Sequence, residues 1–69
     1  MKTIELKRAE AIRFFGSVER ITELLSIKQP AVAQWPELVP EKSAWALLHL
    51  SKQPKWRNRK PKLHAVVNI

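Results

Sequence analysis

Polar and apolar side chains alternate from Thr3 to Leu6, a run short enough for a strand or for the lead into a helix. From Lys7 to Phe15 the period lengthens, and Ala9, Ile12 and Phe15 fall on one side of a predicted helix. Gly16 ends it. Ser17 is placed to cap a second helix, with Glu19 and Arg20 in its first turn and Val18, Ile21, Leu24 and Leu25 as its apolar stripe. That helix is predicted to stop near Leu25. Ser26 and Ile27 make a short turn, and Pro30 stands in the first turn of a third helix, where its missing N–H costs little. Val32 and Trp35 then face inward. Pro36 breaks the third helix, and Pro40 starts a fourth at Glu41 with Ala44, Leu47, Leu48 and Leu50 on its apolar side. Past Ser51, Pro54 and Pro61 exclude a long helix, while Leu63 to Val67 reads as a short strand or a docked tail. The expected fold is mainly α, a small domain of four to five helices over residues 1–51, followed by a tail over residues 52–69 that is extended or ends in a short strand.

The stretch from Phe15 to Trp35 holds the most information. Two short helices are joined by a turn of about three residues, with apolar side chains just after the turn at Ile27 and again at Val32 and Trp35. This is the spacing of a helix-turn-helix. Its first helix braces across a phosphate backbone, while Ile27, Val32 and Trp35 pin the second to the core and free its opposite face for the major groove. A three- or four-helix domain that never meets DNA uses the same packing, so spacing alone leaves both readings open.

The charge separates them further. Residues 1–41 hold six Lys or Arg and six Glu, which cancel, whereas residues 42–69 hold seven Lys or Arg and no acid. The whole net charge of +7 therefore lies in the last 28 residues. Lys52, Lys55, Arg57, Arg59, Lys60 and Lys62 form a block able to neutralise phosphates and release their counterions, although an acidic membrane surface attracts the same residues. Sixty-nine residues allow one domain with a thin core, and with no cysteine the chain must find its stability in helix packing or dimerisation. No apolar run approaches the roughly 18 residues of a membrane span, and the mixed charges of the first ten residues do not read as a signal peptide. A cytoplasmic setting in a bacterial host is expected.

Little supports catalysis. His49 and His64 are the two histidines, aspartate is absent, and one glycine is too few for a phosphate-binding loop. No enzyme, cofactor, metal or small-molecule ligand is expected. Trp35 and Trp45 lie at helical spacing within apolar stripes and read as core or interface residues. Trp56, set among cations, has three possible roles: stacking on single-stranded bases, covering the domain, or packing in a dimer. Dimer packing is favoured, since a reader of half-sites gains from a twofold partner.

Phe15-Gly16 before the motif, Gln34-Trp35 at the end of the third helix and Pro40-Glu41-Lys42 opening the fourth together resemble the Cro repressors of lambdoid phages, in particular their all-helical subgroup. The resemblance covers residues 12–50. Thr22 stands where a small Ala is common, and Ser26 where Gly often takes a left-handed turn, a departure that costs up to about 1 kcal/mol if positive φ is required. The resemblance implies a repressor that binds double-stranded operator DNA as a homodimer. It also implies that Lys28, Gln29, Pro30, Ala33 and Gln34 present one face to the major groove. Gln29 and Gln34 suit adenine, Lys28 suits guanine or a phosphate, and Ala33 suits a thymine methyl. Ser17 and Lys42 would contact phosphates and set position rather than sequence. Two other readings remain: a basic module for RNA or single strands that binds through the tail, and a helical domain whose exposed motif face meets another protein.

Overall fold

A computed structural model describes residues 2–68. The N-terminal alternation becomes strand β1 (Thr3–Glu5), with Ile4 and Leu6 turned into the core and Thr3 and Glu5 turned out. Helix α1 (Arg8–Phe15) follows and stops at Gly16, whose φ of 104° is a conformation side chains with a Cβ rarely adopt. Its inward face is Ala11, Phe14 and Phe15, with Ile12 on the flank. Ala9, expected to face inward, is exposed. At 100° per residue it lies about 160° around the helix from Ala11, so the two large phenylalanines decide which side is buried.

Helix α2 (Val18–Leu25) begins at Ser17, whose Oγ accepts a hydrogen bond from the Arg20 amide at 3.1 Å. It ends at Ser26 in the left-handed region, with φ 56° and ψ 43°. Helix α3 (Gln29–Ala33) is five residues long with Pro30 in its first turn, and Gln34 caps it. The chain then runs antiparallel to the N-terminal segment, with the Val39 amide bonded to the Leu6 carbonyl and the Arg8 amide to the Glu37 carbonyl, both at 2.8 Å. Helix α4 (Glu41–Ser51) starts after Pro40 as expected, with Ala44 and Leu47 wholly buried and Trp45, Leu48 and Leu50 partly buried. α2 packs on α1, α3 and α4, and α4 rests on β1. No described helix is long and apolar enough to cross a membrane.

Residues 52–68 complete this core and do not trail from it. Turns from Gln53 to Arg59 fold the chain back, with the Trp56 and Arg57 amides both donating to the Gln53 carbonyl at 2.9 Å. Leu63 and Ala65 pack against the core, and strand β2 (Val66–Asn68) pairs antiparallel with β1, placing Ile4 opposite Val67. The boundary expected at residue 51 thus falls inside a single core. Of the short strand or docked tail expected over Leu63 to Val67, both are found: Leu63 and Ala65 dock on the core, and the strand starts only at Val66. Trp56 is corrected with it: its indole is 5% exposed and lies against Phe14 and Phe15, with ring centroids 6.1 and 5.0 Å away. A ring held this way has almost no surface left for a dimer partner.

Candidate nucleic-acid interface

The turn between α2 and α3 is closed by its own backbone. The Ser26 amide donates to the Glu23 carbonyl at 3.3 Å, and the Ile27 amide donates to the Thr22 carbonyl at 3.1 Å. Thr22, placed where the family prefers a small residue, is nearly buried, and its hydroxyl donates to the Glu19 carbonyl at 2.7 Å. Its one polar atom is therefore satisfied, and its methyl packs as an alanine's would. Ser26 holds the positive φ that glycine often supplies there.

α3 is fixed from beneath. Val32 is fully buried, Trp35 is 8% exposed and Ile27 is partly buried against the same core. Lys28, Gln29, Pro30, Ala33 and Gln34 are all exposed, so the structure brings the five groove-facing candidates onto one free surface. On a regular helix Pro30 and Gln34 lie about 160° from Val32, with Gln29 and Ala33 to one side. Ala31 is exposed on the other side, and nothing in the sequence pattern marks it. This surface carries no acid. An amide, a lysine and small apolar groups can donate, accept and touch methyls at base edges without repelling phosphates.

Flanking groups are also free. Ser17 and Lys42 are exposed, Ser17 at the start of α2 and Lys42 in the first turn of α4. The tail cations Lys52, Lys55, Arg57, Arg59, Lys60 and Lys62 are exposed as well. Lys52, Arg57, Arg59 and Lys62 rim a cleft floored by Phe14, Leu48, Trp56 and Leu63. Arg59 is stacked over the Trp56 ring, 5.4 Å from its centroid, and its guanidinium lies 3.9 Å from where a Cβ on Gly16 would stand. It therefore sits beside the α1–α2 turn, one residue from Ser17. Lys55 covers the same ring at 5.7 Å. Among the described residues the one ion pair joins Arg13 to Glu10, so these cations are not neutralised within the chain.

One further cation acts on the site from behind. The Nη1 of Arg8 donates to the Trp35 carbonyl at 3.3 Å and reaches the Ala33 carbonyl at 3.5 Å, at the C-terminal end of α3. Nothing in the local sequence signals this contact, which spans 25 to 27 residues.

No solved structure matches this chain. The regulatory protein cro of Salmonella phage P22 is 38% identical over 40 residues, covering 58% of this chain and 66% of that protein. This chain thus spans just under two thirds of that relative's length. The family described as DNA-binding transcriptional regulator Cro matches residues 7–52, which run from the strand-to-helix junction through the capped turn and α3 to the end of α4. A chain matched over that continuous helical core belongs to the Cro family of DNA-binding transcriptional regulators.

Proposed function

We propose that this protein represses transcription by binding a specific double-stranded operator, with α3 in the major groove of each half-site. The observation that carries this reading is the exposed, acid-free row of Lys28, Gln29, Pro30, Ala33 and Gln34 on a helix pinned by Val32 and Trp35. Gln29 and Gln34 read bases, Ser17 and Lys42 hold phosphates, and the tail cations add affinity that does not depend on sequence. The protein acts as a homodimer on DNA. Its extents of 30 × 28 × 18 Å suit two copies placed on half-sites one helical turn, about 34 Å, apart. The name of the phage P22 relative, a regulatory protein, supports a role in control of transcription.

Selection of bound sequences from a random duplex pool tests this, and a twofold-symmetric consensus is the expected result. The consensus should outcompete random duplex by about a thousandfold or more, and single-stranded DNA and RNA should compete no better than random duplex. Gln29→Ala should keep the fold and lose roughly tenfold in the ratio of consensus to random affinity, with Gln34→Ala behaving alike. Unaltered ratios in both variants would show that α3 is not the reader.

A further inference from the structure

We infer that Arg8 is a positioning residue for base reading: its guanidinium ties the C-terminal end of α3 to the start of α1 and fixes the angle at which Gln29 and Gln34 meet DNA. This rests on the reading of α3 proposed above.

A helix of five residues cannot hold its own orientation. Its N-terminal flank, Lys28, offers no side-chain hydrogen bond, and its packing anchors Ile27, Val32 and Trp35 all lie on its inner side. Packing from one side sets how deeply the helix sits. It leaves the helix able to roll about the line of those anchors. At its C-terminal end the Gln34 amide bonds to the Pro30 carbonyl and the Trp35 amide to the Val32 carbonyl, which leaves the Ala33 and Trp35 carbonyls without a backbone donor among the described residues. Arg8 supplies one, at 3.5 and 3.3 Å, and its positive charge suits the negative end of a helix. The backbone of Arg8 is itself tied down, because its amide donates to the Glu37 carbonyl at 2.8 Å and the Leu6 carbonyl, two residues before, accepts from Val39. One residue therefore clamps both the end of α3 and the segment leaving it. Base-edge contacts tolerate errors of only about half an ångström, so loosening this clamp degrades discrimination before it degrades binding.

Arg8→Lys provides the test, since it keeps the charge but ends in an ammonium on a shorter stem, withdrawing the Nη1 donor that faces both carbonyls. In the full chain, affinity for random duplex and its salt dependence should stay within about twofold of the parent. Affinity for the duplex enriched from a random pool should fall by about tenfold. Without DNA, amide exchange at Gln34 and Trp35 should quicken about tenfold, while the amides of α4 stay as in the parent. Equal quickening throughout the chain, or equal weakening on both duplexes, would reduce Arg8 to a stabilising role and overturn the inference. If Gln29→Ala lowers the affinity ratio and Arg8→Lys does not, the clamp is wrong and the reading of α3 stands. If neither variant moves the ratio, the reading fails and takes the clamp with it.

Discussion

Glu10 ties the C-terminal segment to α1. Its carboxylate pairs with the Arg13 guanidinium one turn on and accepts the His64 amide at 3.1 Å, while Arg13 also reaches the Lys62 carbonyl at 3.4 Å. The hydrogen bond from Arg13, joined by that from His64, holds the Glu10 carboxyl below its ordinary value of 4.5. Between the lowered value and about pH 4.5 the native state binds fewer protons than the unfolded chain, so stability rises with pH there. The contribution is complete above about pH 4.5 and disappears as pH falls through the lowered value. Glu10→Gln should therefore lower the urea midpoint near neutral pH, and the gap from the parent should close on acidification. A gap that is flat with pH would show that the carboxylate is not the tie. Sequence alone presents Glu10 and Arg13 as an ordinary surface pair, because the partner at His64 is 54 residues away.

At the scale of elements, what was legible was local. Ser17, Ser26 and Pro30 each fix a helix boundary through a cap, a left-handed turn or a fixed φ, and Ile27, Val32 and Trp35 lie within nine residues of one another. The helix-turn-helix and its exposed face followed from those positions. Contacts between distant segments were not legible: the pairing of β1 with β2, the clamp from Arg8, and the choice of Ala11 over Ala9 all depend on which surfaces meet in the folded chain. Ser17 carries two roles that substitution can separate, capping α2 and holding a phosphate. Ser17→Ala removes the acceptor of the Arg20 amide and should cost about 1 kcal/mol in chemical denaturation. Ser17→Asp restores the cap but sets a negative charge against DNA, so stability should match the parent to within about 0.5 kcal/mol. Affinity for both specific and random duplex should nevertheless drop by about tenfold. If Ser17→Asp binds as the parent does, Ser17 is a cap and nothing more.

For the whole molecule, the basic C-terminal segment is both part of the core and the main source of positive charge, and these functions lie on different side chains. Trp56 carries the first. Buried against Phe14 and Phe15, it should cost about 3 to 5 kcal/mol when replaced by Ala, a large share of the roughly 5 to 15 kcal/mol that stabilises a small domain. Trp56→Ala should thus be partly or wholly unfolded at 37 °C by circular dichroism, and deletion of residues 52–69 should do the same. Such a deletion cannot report on DNA binding. Exposed cations can: Arg57, Lys60 and Lys62 make no ion pair among the described residues, whereas Lys55 and Arg59 lie over the Trp56 ring. Replacing Arg57, Lys60 and Lys62 together by Gln should leave the melting transition within a few degrees of the parent. The log-log salt dependence of duplex binding should flatten by about 0.9 for each of the three that rests on a phosphate, to a limit of about 2.7. Specific and random duplex should weaken by similar factors, because release of counterions from phosphates carries no sequence information. An unchanged slope in this folded variant would place these three cations off the DNA and leave phosphate binding to Ser17, Lys28, Lys42 and the remaining tail cations Lys52, Lys55 and Arg59.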